Sequence, residues 1–295
     1  MTVAAVIVTY NRKQLLMENL DSLMMQTYQV DSIIIVDNAS TDGTENTLRE
    51  NGYFESLPLD YIVMDHNSGG AGGFSYGVEY AHKKGFDFIV LMDDDGRPFD
   101  CSTMENLCEK AIEIYLSKNK LLMLNSLVTY DGKNLSFGFG YTDEEITRAK
   151  KNDDVLMDSI SPFNCTLVSK DLVDQIGVPR ADFFISCDER EYNNRAKMNN
   201  AFIATVAKSV YLHPQAKDTV VYEGEKYYEI FSAPFKEYYY TRNRICIKKN
   251  LKNTVHIFTE RMYVITKLED QKVKRYHHCI KAVFDAVFNR MGKRI

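Results

Sequence analysis

The sequence predicts an α/β protein, a mostly parallel sheet flanked by helices and followed by a helical C-terminal segment. Three observations predict it. Val3–Val8, Ser32–Val36 and Phe88–Met92 are short, almost wholly apolar runs. Stretches with helical spacing separate them. Each run ends in a polar cluster. Runs apolar on both faces indicate strands covered by helices on both sides, as in parallel sheets. Ligands of such sheets gather at the carboxyl edge of the strands, so the polar clusters are the places to look for chemistry.

The elements follow in order. After the first strand, Leu15, Leu16, Leu20, Leu23 and Met24 recur at helical spacing. Asp42 and Glu45 stand at capping-box spacing ahead of a helix through Leu48. Tyr61–Met64 reads as a third strand, Phe74–Lys83 as a helix, and Phe88–Met92 as a fourth strand. Beyond Asp100 the alternation is less regular: a helix over Met104–Leu116 and a strand over Leu121–Val128. Gly138–Asp154, polar and charge-dense, predicts a mobile loop. Asn164–Val168 reads as a strand, Asp188–Met198 as a helix, and Phe202–Val206 with Ser209–His213 as a hairpin. Helical spacing near 234–249, 254–268 and 272–289 completes the chain. There is no internal repeat and no Gly/Ser/Pro-rich linker.

Composition narrows the function classes. The 295 residues suit one large α/β domain or two small ones. A net charge of −5 argues against a nucleic-acid-binding surface. No apolar run is long enough to span a bilayer, and the apolar start lacks the basic segment of a signal peptide. Six scattered cysteines without a Cys-x-x-Cys pair are neither a zinc framework nor a disulfide scaffold, and predict reduced thiols on the cytoplasmic side.

The strongest chemical feature is Asp93-Asp94-Asp95 directly after a buried strand. Like charges this close raise one another's pKa unless a cation neutralises them. Residues i and i+2 of an extended segment point the same way, so Asp93 and Asp95 can reach one ion. Oxygen ligands suit Mg²⁺ or Mn²⁺. Asp37 and Asn38 end the second strand, where they either read a nucleobase edge or serve local turn chemistry. Asn67-Ser-Gly-Gly-Ala-Gly-Gly-Phe74 lets the backbone pass close to a ligand, or is merely flexible. It is neither a P-loop nor a dinucleotide fingerprint, and Thr9-Tyr10-Asn11-Arg12 after the first strand disfavours a dehydrogenase. Asp188-Glu189-Arg190-Glu191 opens a helix after an aromatic stretch; its acids complement the helix dipole or act as a general base. His213, alone, is a surface residue or a ligand.

Taken in order, these pieces resemble the inverting, metal-dependent nucleotide-sugar glycosyltransferases of family two, with a Rossmann-like GT-A fold. The resemblance runs from Val3 to about Asn243 and rests on Val-Thr-Tyr-Asn-Arg at 8–12, Val-Asp-Asn-Ala-Ser at 36–40, the aspartates at 93–95, the acids at 188–191, Arg195, His213 and Tyr239-Tyr240-Thr241-Arg242-Asn243. The glycine loop is most similar to that of galactofuranosyltransferases; rhamnosyltransferases using dTDP-rhamnose share the rest and are the alternative. The resemblance implies a UDP-galactofuranose-like donor held by Thr9, Tyr10, Asn11, Arg12, Asp37, Asn38, Asn67, Gly70, Gly72, Gly73, Asp93, Asp94, Arg195 and Arg242. It implies Asp93, Asp95 and His213 on Mn²⁺ or Mg²⁺, and a catalytic base at Glu189 with Asp188 competing. Glu191 would orient the acceptor, a glycan or lipid-linked glycan, or help hold the helix start. It divides the chain into a GT-A domain over 1–232 and a helical segment over 233–295.

From Gln271 to Ile295, seven Lys/Arg stand against the single acid Asp285, with apolar residues at helical spacing between them. Such a helix either lies on an anionic membrane surface, which would place the enzyme on the inner face of the plasma membrane, or packs its apolar face on the core or in a homo-oligomer. A nucleotidyltransferase would need a basic glycine-rich loop after the first strand, which Thr9-Tyr10-Asn11-Arg12 is not. Retention of every acid argues against a non-catalytic scaffold.

Overall fold

The computed structural model of the chain describes residues 1–117, 120–137, 141–157, 163–215, 219–223 and 226–295. Its first half runs β1 (Val3–Thr9), α1 (Lys13–Met24), β2 (Ser32–Asp37), α2 (Thr44–Glu50), α3 (Tyr53–Ser56), β3 (Leu59–Val63), α4 (Gly69–Lys84), β4 (Phe88–Asp93), β5 (Arg97–Pro98), α5 (Thr103–Ser117) and β6 (Leu122–Thr129). It continues with α6 (Asp143–Asn152), β7 (Val155–Met157), β8 (Thr166–Ser169), α7 (Lys170–Ile176), α8 (Asp188–Met198), β9 (Phe202–Leu212), the β10–β11 hairpin (Thr219–Glu223, Lys226–Ile230), α9 (Pro234–Ile247), α10 (Leu251–Lys267) and α11 (Lys272–Val287).

Among the described residues, one nine-stranded sheet has the order β3-β2-β1-β4-β8-β6-β9-β5, with β7 on β9. The β3-β2-β1-β4 half is parallel, whereas β8 runs antiparallel to both β4 and β6, so the sheet is mixed. Strand β1 is buried over its whole length, and its alternation sorts the core into two layers. Val3, Ala5 and Ile7 pack with Leu16 and Leu20 of α1 and Leu107 of α5. Ala4, Val6 and Val8 pack on the other face with Phe74, Val78 and Ala81 of α4 and Tyr192 of α8. Each of the Val, Leu, Ile and Phe side chains removed from water contributes about 1.5–3 kcal/mol, which fixes the register at the strand ends. Thr9 pairs with Asp37 and Val8 with Asp93, so three polar strand ends share one edge where the order reverses about β1.

Several local expectations are corrected. Phe202–Leu212 is one strand, not a hairpin: Ala207-Lys208 carries no turn residue, and the ladder to β6 instead shifts register between Ser126 and Leu127. Within 138–154, residues 138–140 lie outside the described residues, but 143–152 is a helix rather than a loop. Thr142 and Glu145 close a reciprocal capping box at its start. The expected box at Asp42 does not form; Gly43 takes the cap position at φ 79°, and Asp42 accepts from Thr44 N instead. The glycine stretch is itself the first turn of α4, which begins at Gly69 and not Phe74. Strands β3 and β8 are offset from the expected 61–64 and 164–168 by one or two residues.

Helices α9, α10 and α11 pack together. Arg261 of α10 forms a buried, bidentate pair with Glu237 of α9 at 2.6 and 3.0 Å. Tyr238 of α9 donates to Asp285 of α11 at 2.6 Å. All six cysteines are free, and no helix among the described residues is long and apolar enough to cross a membrane.

Candidate active site

The aspartate triplet sits where β4 leaves the sheet, and it divides as the i, i+2 rule predicts. Asp93, Asp95 and His213 bring their ligand atoms within 4.8 Å of one another. Asp94 is buried and turns the other way, accepting from Thr9 Oγ1 at 2.8 Å and Arg12 Nη1 at 3.1 Å. Arg12 also donates to Asp95 at 2.8 Å. Asn19 of α1 steadies the strand end by donating to the Asp93 carbonyl at 3.1 Å.

Electrostatics follow from this crowding. Burial and the neighbouring charge of Asp95 push the Asp93 carboxyl up to about 7. Burial pushes Asp94 up to about 6 against the pull of Arg12. Asp95 goes the other way: burial acts to raise it, but the His213 hydrogen bond and charge, with Arg12, hold it below the usual carboxylate range. Burial likewise acts to lower His213, but Asp95 and Asp93 hold it above the ordinary imidazole value. Two carboxylates that resist ionising beside a third that ionises readily are the condition a divalent cation relieves.

The donor set fits such a cation. His213 follows β9, and its Nδ1 lies 2.7 Å from the Pro214 carbonyl, so that nitrogen carries the proton. Its Nε2 then faces Asp95 at 3.4 Å, the orientation a metal-ligating imidazole takes when its other nitrogen is held by a carbonyl. Two carboxylates and one imidazole are acceptable ligands for a divalent first-row ion.

Around this cluster the predicted residues separate into those that reach the edge and those that support it. Tyr10 and Asn11 are exposed beside it. Asn11, at φ 53°, also accepts from Thr41 N at 2.7 Å. Asp37 is buried, accepting from Ser40 N at 2.7 Å and from Tyr61 OH at 2.5 Å. Asn38 is no free amide: it donates to the Gly69 carbonyl and accepts from Ser68. Asn67 accepts from Gly69 N at 2.8 Å. The glycines expected to make room for a ligand have internal reasons. A Cβ on Gly69, at φ 73°, would meet the Phe184 carbonyl at 2.0 Å, and one on Gly73 would meet Val8 at 2.4 Å. Gly72 is closed by Ser68, and among these positions only Gly70 faces open space.

The acids at 188–191 follow a strained segment. Phe184, Ser186 and Cys187 all hold positive φ, between 66° and 68°, a conformation costly for side-chain-bearing residues and often kept at working sites. Asn243 of α9 donates its amide to the carbonyls of Phe183, Ile185 and Ser186 at 2.8–3.0 Å. Arg242 donates to the Phe183 carbonyl at 2.8 Å and the Gly292 carbonyl at 2.6 Å. Asp188 emerges buried at the start of α8, while Glu189 is half exposed. Burial first, then the charges of Glu189 and Asp93, hold Asp188 well above the usual carboxylate range.

Two expectations are corrected here. Arg242 is fully buried and committed to the Phe183 and Gly292 carbonyls and to Asn243 Oδ1, so it supports the loop rather than facing the edge. Arg195 grips Glu191 at 2.9 Å, together with the carbonyls of Ile176 and Val178. Glu191 and Arg195 therefore tie α8 to the end of α7. Sequence reasoning missed the carbonyl clamp of Arg242 and Asn243; its only signal was the polar run Thr241-Arg242-Asn243 directly after three tyrosines in α9.

Comparisons with known proteins place the chain by family and fold. Residues 4–161 match the family described as Glycosyl transferase family 2. A relative in Mycolicibacterium smegmatis, "Galactofuranosyltransferase GlfT1", is 33% identical over 224 residues, 73% of this chain and 72% of its own length. One of the same name in Mycobacterium tuberculosis (strain ATCC 25618 / H37Rv) is 30% identical over 251 residues, covering 82% of this chain and 81% of its own. Among solved structures, the mannosyltransferase PcManGT from Pyrobaculum calidifontis, in complex with GDP-Man and Mn²⁺, has a TM-score of 0.59 at 14% identity, over 98% of this chain and 87% of that one.

Proposed function

The chain belongs to glycosyl transferase family 2 and has its GT-A-like fold, and from that premise we propose that it is an inverting galactofuranosyltransferase using UDP-galactofuranose. The observation that carries the donor is the identity of 33% over about three quarters of the chain to a protein of that named activity. The Asp93, Asp95 and His213 cluster supports dependence on a divalent ion, Mn²⁺ or Mg²⁺. Its imidazole nitrogen favours Mn²⁺, because Mg²⁺ keeps to oxygen and water. Bound there, the ion would supply positive charge toward the departing diphosphate. Residues 1–232 form the transferase domain in this reading, with 233–295 as a helical segment bracing it.

The chain's own residues divide the remaining work. Tyr10, Asn11 and Asp37 border the edge where the nucleoside sits, and Gly70 leaves space beside it. Glu189, half exposed, takes the proton of an acceptor sugar hydroxyl as that oxygen attacks the anomeric carbon from the face opposite the diphosphate. Asp188, buried and disposed to stay protonated, supports Glu189 as a neutral hydrogen-bond donor. The acceptor in this reading is a glycan or lipid-linked glycan.

A panel of UDP- and dTDP-sugars, scored for metal-dependent transfer or hydrolysis, tests the reading. UDP-galactofuranose is expected to turn over in preference to the others. Preferential turnover of dTDP-rhamnose would replace it with the rhamnosyltransferase reading.

A further inference from the structure

Helix α11 is built the opposite way round from an ordinary surface helix. Its buried face carries Arg275, His278, Cys279, Ala282, Asp285 and Ala286. Its outer face carries Val273 (84% exposed), Ile280, Phe284 (59%), Val287 and Phe288 (61%), with His277 among them. At 100° per residue these outer positions fall in one stripe along the helix. Phe284 and Phe288 stack on each other at 6.0 Å, facing outward. A continuous apolar stripe left on the outside of a helix marks a contact with something absent.

The charges around the stripe say what it contacts. Lys272 and Lys274 flank its start, Lys281 lies beside its middle, and Arg290, Lys293 and Arg294 follow its end. The one acid of this stretch, Asp285, is buried against Tyr238 and Lys281. The exposed surface of 272–295 is therefore apolar and basic; the nearest exposed acids in sequence are Glu269 and Asp270 just before the helix, the latter paired with Arg275 at 2.9 Å. A second copy docking through this face by two-fold symmetry would bring like charges together. An anionic lipid surface complements both features, taking the apolar stripe below the headgroups and the basic rim at their level.

We propose that the outer face of α11 docks on an anionic membrane surface. The segment after the helix links this face to the site: Gly292 N donates to the Asp182 carbonyl at 2.7 Å, and Lys293 lies over the Phe184 ring at 5.7 Å. Docking then holds the strained segment before Asp188 next to the bilayer, which suits an acceptor sugar on a lipid. The docking itself does not depend on the donor or metal assignment.

The experiment is co-sedimentation of the full chain with vesicles of phosphatidylcholine alone and of equimolar phosphatidylcholine and phosphatidylglycerol. Binding to the anionic vesicles only is expected. The double variant Phe284→Ser/Phe288→Ser should lose at least about tenfold in partitioning, from the apolar area it withdraws, with unchanged thermal melting. Lys272→Glu/Lys274→Glu should weaken binding to the anionic vesicles. Equal binding to both vesicle types, or Phe284/Phe288 variants that bind as the parent does, overturns the proposal. A dimer that the Phe284/Phe288 substitutions dissociate without changing vesicle binding also overturns it, and assigns the face to self-association.

Discussion

Arg12 Nη1 lies 2.8 Å from Asp95 and 3.1 Å from Asp94, so a guanidinium at the start of α1 balances part of the charge of the triplet at the end of β4. The Arg12 side chain is half exposed, so solvent screening limits this pair to about 1 kcal/mol. Arg12→Gln is therefore expected to cost about that much stability without metal. Added Mn²⁺ should raise the melting temperature of the parent and more so of Arg12→Gln, and leave Asp95→Ala unchanged. Melting curves with and without Mn²⁺ check this; a full Mn²⁺ effect in Asp95→Ala would move the ion elsewhere.

Glu189 and Asp188 are separable by exposure. Glu189→Gln should retain UDP binding and lose turnover by roughly 10²–10⁴, the usual contribution of a general base. Asp188→Asn, which keeps a neutral side chain at a position already disposed to be protonated, should lose less. Paired calorimetry and rate measurements decide it, and the reverse ranking would make Asp188 the base.

Asn243 holds three carbonyls of the segment that precedes these acids. Asn243→Ala removes that donor from all three, only Phe183 keeping a second one in Arg242, and is expected to cost about 1–3 kcal/mol. Because the segment aims α8, turnover should fall by roughly 10-fold or more, while UDP affinity stays within about twofold. Equal losses in both would show a general loosening instead.

The glycine stretch offers a contrast within one motif. Gly69→Ala meets both a positive φ and the Phe184 carbonyl, and should destabilise by about 2–4 kcal/mol. Gly70→Ala meets nothing within 4 Å. As a helical position it should be neutral or gain up to about 1 kcal/mol. Thermal melting checks both, and a raised donor KM in a stable Gly70→Ala would put Gly70 at the sugar nucleotide.

Asp285 governs how α11 is attached. Burial acts to raise its pKa, but hydrogen bonds from Lys281 and Tyr238 hold it below the usual carboxylate range. A carboxyl lowered in the folded state stabilises above its unfolded pKa, near 4, and the contribution is lost as pH falls through the lowered folded value. Acidification below about pH 4 should therefore loosen the helix, with Asp285→Asn showing a flatter acid limb in the same melting series.

The parallel half of the sheet was legible because β1, β2 and β4 are apolar on both faces, and the triplet because its acids follow β4 directly. The hairpin expected at 202–213 failed because a bulge preserves the strand without any turn residue to announce it. The helix at 143–152 was hidden by its polarity, although Thr142 and Glu145 spelled its start. Arg242 was placed at the nucleotide only through the resemblance, not from any local signal of its own. That its guanidinium turns inward to carbonyls depends on the fold of 182–187, which local spacing does not report. For α11 both orientations stayed open at the sequence, because periodicity reveals an amphipathic helix but not which side faces in.

The clamp at 182–187 recognises oxygens that every residue type carries. Arg242 and Asn243 thus dictate the path of the main chain while remaining indifferent to the side chains strung along it. Phe184 adds a side-chain anchor, its ring packed on Tyr239 at 5.0 Å, so α9 grips this turn by both its main chain and its buried ring before the acids begin.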